Sequence, residues 1–142
     1  MNSIFRFSCG MEFESILLDT MYSFARKEWG ISSVKFSTER QDKFEGTDIT
    51  LLGVPIDITL AFDKKKKTRN LGNVNKDGVT ISFGVRFGNA KANFSMPVLV
   101  IGAETAFETT KENMWVMLDT IKTHIKEILD IGMDKYFLAT EA

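Results

Sequence analysis

The residues with the clearest chemical potential are two aspartates in the stretch TDITLLGVPIDIT, Asp48 and Asp57, separated by eight residues. Two apolar runs, 47–52 and 54–62, flank Gly53 and read as the arms of a tight β-hairpin. If the loop is Leu52-Gly53, positions whose numbers sum to 105 face one another, so Asp48 opposes Asp57 and Thr50 opposes Pro55. Directly opposed side chains stand about 4.5–5.5 Å apart at Cβ and share one face. Two carboxylates held that closely repel unless a cation neutralises them, and Mg2+ or Mn2+ suits a pair of hard oxygen donors. Thr59 and Asp63 fall on the same face by alternation, whereas Ile56, Ile58, Leu60 and Phe62 fall on the other. The alternative is a pair of solvated surface aspartates on an edge face. Leu-Gly is not the favoured type I′ dipeptide, and a slip of one residue would send the two carboxylates to opposite faces.

The charge layout gives this hairpin a setting. The chain of 142 residues has a formal net charge of −1, yet residues 35–91 carry a net +4 and residues 104–142 a net −4. Much of the central excess is one run, Lys64, Lys65, Lys66, Lys67 and Arg69, leaving the arm that holds Asp57. A charge run is most often a solvated loop. Beside an acidic strand it also suits nucleic-acid phosphates, because clustered Lys and Arg release condensed counterions on binding. The lone Cys9 excludes an internal disulfide framework and any multi-cysteine zinc site. With 44% hydrophobic and 26% charged residues, the composition is that of a globular single domain over 1–142, not a disordered chain. No stretch approaches ~18 uninterrupted apolar residues, and Glu12 and Glu14 interrupt any leader-like core at the start. The expectation is a cytoplasmic protein with no membrane partner.

The elements that must position the aspartates follow from periodicity. Phe13, Leu17, Met21 and Phe24, joined by Ile16 and Leu18, predict a helix over 11–28 that Gly30 ends. VKFSTE (34–39) alternates as a strand, followed by the two hairpin arms. After the basic loop and a turn at NKDG (75–78), VTISFGVRF (79–87) is another strand. MPVLVIG (96–102) is a continuous apolar run of the kind buried on both faces. Thr109 and Glu112 match a capping box, and the apolar positions from Met114 to Leu129 predict a helix ending at Gly132, with MDKYFL as a further turn. The predicted fold is mixed α/β: one sheet of about five strands flanked by an N-terminal and a C-terminal helix.

These residues, in this order, resemble the PD-(D/E)XK superfamily of restriction-endonuclease-like nucleases. The resemblance covers roughly residues 11–102 and rests on Thr47-Asp48, eight residues, then Asp57-Ile58-Thr59. It implies a core helix, three strands, a crossover and a further strand. It also implies a Mg2+- or Mn2+-dependent site with Asp48 and Asp57 as metal ligands. A helix glutamate often completes such sites; Glu14, which shares a face with Leu18, Met21 and Ala25, is the candidate. The implied activity is hydrolysis of nucleic-acid phosphodiesters, DNA before RNA. The chain departs from the family at Thr59, which stands where the family has a lysine. Thr59 can hydrogen-bond a water but carries no charge. Lys64 from the same strand, or Arg86 from the polar face of 79–87, are the replacements in reach. Lys64, Lys65, Lys66, Lys67, Arg69 and Arg86 would contact phosphates.

The missing lysine favours a rival: a non-catalytic binding or inhibitor protein, of the sort carried by a phage or mobile element, acting through a charged surface. A third reading is a homo-oligomeric structural protein, such as a homodimer, using exposed aromatics; Trp29 and Trp115 read as core or interface anchors. His124 reads as a flank-of-core or surface residue with no acidic partner legible in the sequence.

Overall fold

A computed structural model describes residues 3–36, 49–59, 68–87, 96–105 and 111–141, with side chains omitted at 3–13, 36, 105 and 111. In chain order the elements are α1 (Ser3–Trp29), a 3-10 turn at Ile31–Ser33, β1 (Val34–Phe36), β2 (Ile49–Leu51), β3 (Val54–Thr59), β4 (Thr68–Lys76), β5 (Val79–Arg86), β6 (Val98–Thr105), α2 (Lys111–Thr123) and α3 (Ile125–Thr140). The six strands form one mixed sheet in the order β1-β2-β3-β6-β5-β4. β3 and β6 run parallel; the other neighbours are antiparallel.

Alternation sorts this sheet into two unlike faces. One carries Val34, Ile49, Leu51, Val54, Ile56, Ile58, Leu99, Ile101, Ala103, Val79, Ile81, Phe83 and Val85, all buried. Against it pack Leu17, Met21 and Ala25 of α1, Met114, Met117, Leu118 and Ile121 of α2, and Ile125, Ile128, Leu129, Met133 and Tyr136 of α3. All three helices therefore cover a single face, and the core lies between them and the sheet. Burying each such side chain contributes about 1.5–3 kcal/mol relative to exposure, so this layer dominates the fold's stability. The opposite face carries Thr50, Pro55, Asp57, Thr59, Thr80, Ser82, Gly84, Arg86, Val98, Val100, Gly102 and Glu104. The central strand β6 is buried on both faces, as its unbroken apolar run requires.

Local chemistry accounts for the element ends. Gly30, at φ 94°, closes α1, with its N–H donating to the Arg26 carbonyl at 3.1 Å. The β2–β3 loop is the two residues Leu52-Gly53, both at positive φ (49° and 82°), a type I′ turn despite the unfavoured leucine. Asp77-Gly78 turns β4 into β5 the same way, at 53° and 83°. Thr120 and Thr123 donate their hydroxyls to the carbonyls four residues back, a bonding that bends helices. The helix breaks directly afterwards, at His124.

Several expectations need correction. The sheet has six strands, not about five, because residues 68–76 are strand β4 and not part of the basic loop. β4 is an edge strand with few apolar side chains, Leu71 and Val74, so it lacks the alternation that betrays a half-buried strand. Helix α1 begins at Ser3 rather than at 11. The predicted last helix is two helices, and Gly132 does not end the second, which runs through MDKYFL to Thr140. Gly132 is there because a Cβ would stand 3.0 Å from the ring of Phe83. Thr109 of the expected capping box, the second half of strand 34–39 and residues 60–62 lie outside the described residues. No helix among the described residues is long and apolar enough to cross a membrane.

Two tests follow. Leu52, 50% exposed, occupies a left-handed conformation that asparagine tolerates better. Leu52→Asn should raise unfolding free energy by about 0.5–1 kcal/mol in urea titration; a loss would mean that the leucine is held by packing. Burial pushes the Tyr136 phenol above its usual value of 10.0, and its hydroxyl donates to the Pro97 carbonyl at 2.7 Å. A raised folded-state value means that this stability is intact below the ordinary tyrosine value and is lost as pH rises through the folded one. Tyr136→Phe should therefore cost about 1 kcal/mol at pH 7. That deficit should shrink as unfolding is measured at progressively more alkaline pH.

Candidate functional site

The hairpin that carries the aspartates closes in the register predicted for a Leu52-Gly53 loop: Leu51 faces Val54, Thr50 faces Pro55 and Ile49 faces Ile56. Asp48, which the same count assigns to Asp57, lies outside the described residues, as do Asp63, Lys64, Lys65, Lys66 and Lys67. The burial of β3 alternates as expected, with Val54, Ile56 and Ile58 in the core and Pro55, Asp57 and Thr59 half-buried on the face opposite α1, α2 and α3.

Register across the sheet sets the neighbours of Asp57. On β3–β6, Asp57 pairs with Val100 and Thr59 with Gly102. On β6–β5, Val100 pairs with Gly84, Gly102 with Ser82 and Val98 with Arg86. Arg86 is therefore two strands and one diagonal step from Asp57, on the same face. Its Nη1 lies 3.1 Å from Asp57 Oδ2, with side chains 21% and 24% exposed. The ion pair spans the β6 strand, above a row formed by buried Val98 and Val100. Glycine at position 84 leaves no side chain between Arg86 and the central rows. Arg86 also has a further partner, and Thr59 has one of its own.

Two of the predicted residues that the structure describes, Glu14 and Arg69, do not join this surface. Glu14 extends the Leu17–Met21 stripe of α1 on the helical side of the sheet, whereas Asp57 leaves the opposite side. Arg69 is exposed on edge strand β4 and pairs with Val85, which gives it the parity of the core face; it stands on the other side of the sheet from Arg86. Among the described residues no group of three or more His, Cys, Asp or Glu is arranged to hold a metal ion. Asp57 is a hard oxygen donor of the right kind for Mg2+ or Mn2+, and a second carboxylate has to come from outside the described residues, with Asp48 the candidate.

A second charged cluster was not legible in the sequence. His124, at the break between α2 and α3, has Nε2 3.6 Å from Asp77 Oδ2 and Nδ1 3.8 Å from Glu127 Oε2. It thus has acidic neighbours, contrary to the expectation; Asp77 is far away in sequence and arrives through the β4–β5 turn. Glu127 also pairs with Lys76 at 2.8 Å, which holds its carboxyl below the usual range. Lys135 donates to the Leu71 carbonyl at 2.9 Å, so β4 is tied to α3 at two points. Beside His124 runs an open groove of about 400 Å³ lined by Lys126, Glu127, Asp130, Ile131 and Asp134.

Comparison with known protein families, with curated proteins and with solved structures finds no match to this chain. The Asp57–Arg86 pair can be weighed directly. Asp57→Asn, Arg86→Gln and the double variant should give a coupling energy of about 1 kcal/mol in urea unfolding, as expected for a partly buried pair. Additive losses would show that the contact contributes nothing to folding.

Proposed function

We propose that this chain is a restriction-endonuclease-like, metal-dependent nuclease whose missing motif lysine is replaced by Arg86. The observation that carries this reading is the Arg86 guanidinium 3.1 Å from the Asp57 carboxylate, two residues before Thr59 on the same strand face. The family places a lysine there to orient the attacking water and to stabilise charge on phosphate. Here the cation comes from β5, across the sheet. The order of one helix, an antiparallel three-strand unit and a strand parallel to its third member is in keeping with the family core. In this chain the connection from β3 to that parallel strand passes through the β4–β5 hairpin.

In this reading Asp57 and Asp48 hold Mg2+ or Mn2+. A bound ion supplies a water of lowered pKa and neutralises charge on the scissile phosphate. Thr59 orients a water through its hydroxyl. Arg86 faces a phosphate oxygen with planar, always-charged donors, which match that geometry better than an ammonium does. Lys64, Lys65, Lys66 and Lys67 hold flanking phosphates of DNA or RNA.

The second reading, a non-catalytic binder of nucleic acid, draws on the same contact. Thr59 stands at the lysine position and Asp57 is already neutralised by Arg86, an arrangement that suits a domain keeping its scaffold without the chemistry. Plasmid, single-stranded DNA and RNA incubated with the protein and Mg2+ or Mn2+ separate the two. Metal-dependent cleavage that falls at least about 100-fold in Asp57→Ala supports the nuclease, since several kcal/mol of charge stabilisation are at stake. Retarded migration of the nucleic acid without cleavage supports the binder. Cleavage that Asp57→Ala leaves intact sinks the assignment of this site.

A further inference from the structure

Six of the eight large hydrophobic residues exposed among the described residues stand at one end of the sheet: Ile31, Leu52, Phe87, Met96, Phe137 and Leu138. We propose that this end is the interface of a twofold dimer between two copies of the chain. Such a dimer requires nothing of the chemistry assigned to Asp57.

Register gathers the six. β3 and β6 run parallel with Ile56 opposite Leu99, so the Leu52-Gly53 turn before β3 and Met96 before β6 enter the sheet side by side. Arg86 pairs with Val98, which brings Phe87, the next residue, to the same end from the antiparallel β5. The Leu52 N–H donates to the Ser33 carbonyl at 2.6 Å, which seats the 3-10 turn of Ile31 beside that loop. The Tyr136 hydroxyl reaches the Pro97 carbonyl at 2.7 Å, and Phe137 and Leu138 follow it near the end of α3. Trp115 and Val116, the other two, belong to α2, which the chain enters from the opposite end of β6.

Area and rim select the occupant. Taking each residue at about 200 Å² when fully open, the six expose on the order of 650 Å². That exceeds the largest apolar patch of most monomers, roughly 300–600 Å², and approaches the ~800 Å² that each partner gives to a stable interface. Around the patch, Arg26 and Lys27 close α1, Lys35 lies in β1 and Arg69 in β4, while Asp134 and Glu141 flank Leu138, all exposed. Glu28 is taken up by Lys126 at 3.3 Å. A rim of one sign would suit an anionic bilayer or a strongly charged partner; this mixed rim sets no like-charge barrier against a second copy. Across a twofold axis the patch faces itself, so apolar surface meets apolar surface and assembly closes at two. Leu52 points the same way. Its left-handed backbone, at φ 49°, favours asparagine or glycine, and an interface that buries the leucine offsets what the single chain loses by holding it there.

Sedimentation equilibrium of the intact chain over a wide concentration range tests this. The mass should rise from 16.1 kDa to twice that value and no further. Leu138→Lys and Ile31→Lys, at residues 77% and 64% exposed, should each raise the dissociation constant at least about tenfold, whereas Trp115→Lys should leave it unchanged. Leu52→Asn separates association from folding, since it should weaken the dimer without destabilising the monomer. If circular dichroism shows that the lysine variants unfold, concentration-dependent amide shifts in NMR spectra of the unaltered chain replace them; these should centre on Ile31, Leu52, Phe87, Met96 and Leu138. A chain that stays at 16.1 kDa throughout overturns the dimer, and its co-sedimentation with phosphatidylserine vesicles would give the end to a lipid surface instead. Self-association that Trp115→Lys abolishes and the variants at this end leave intact also overturns it. Growth beyond two copies overturns the twofold arrangement.

Discussion

Three helices stacked on one face of a six-stranded sheet impose the division on which everything else depends. A strand alternates its side chains between faces, so once one face is committed to the core the other receives whatever remains. In β3 that remainder is Pro55, Asp57 and Thr59; in β5 it is Thr80, Ser82, Gly84 and Arg86. A shift of one residue in either strand would drive Asp57 or Arg86 under the helices and move Ile56 or Val85 out of the core to the opposite face. The apolar layer therefore holds the charged pair in register more firmly than the pair could hold itself. An ion pair of this exposure is worth about 1 kcal/mol, against several for each pair of core residues that a slip would expose.

The edge of the sheet is managed differently. β4 has little to bury, and it is kept in place by a tight Asp77-Gly78 turn and by two lysine contacts, Lys76 to Glu127 and Lys135 to the Leu71 carbonyl. A register irregularity between Asn70 and Gly72 interrupts its ladder, and Gly72 holds φ 107°, a conformation that residues with a side chain rarely adopt. A bulged, lysine-bearing edge is a poor template for another strand, which limits edge-to-edge pairing of copies. The face opposite the three helices carries the Asp57–Arg86 pair instead.

Much of the fold was legible because its strongest signals are local. The stripe of Leu17, Met21 and Ala25, the stop at Gly30, the alternation of VTISFGVRF and the doubly buried run at Val98–Ile101 each state their environment in the residues themselves. The hairpin register was legible too, since Gly53 leaves few ways to close two apolar arms. Strand β4 was not, because an edge strand needs no apolar face. The break at His124 was hidden inside a helical pattern continuous on both sides. Gly132 reads as a stop by composition and proves to be a seat for Phe83, a residue 49 positions away that no local pattern could connect to it.

The candidate site divides along the same line. That Asp57 and Thr59 share a polar face, and that Arg86 lies on the polar face of its own strand, follows from period-two alternation and was settled by the chain alone. That these are the same face, with one strand between them and a contact of 3.1 Å, was decided only by the strand order β3-β6-β5, which places next to each other segments that the chain keeps 29 residues apart. The tertiary structure likewise put Glu14 and Arg69 on the far side of that sheet. Alternation is a property of one strand and is written in its sequence. Adjacency is a property of the packed sheet, chosen by the burial of six strands at once.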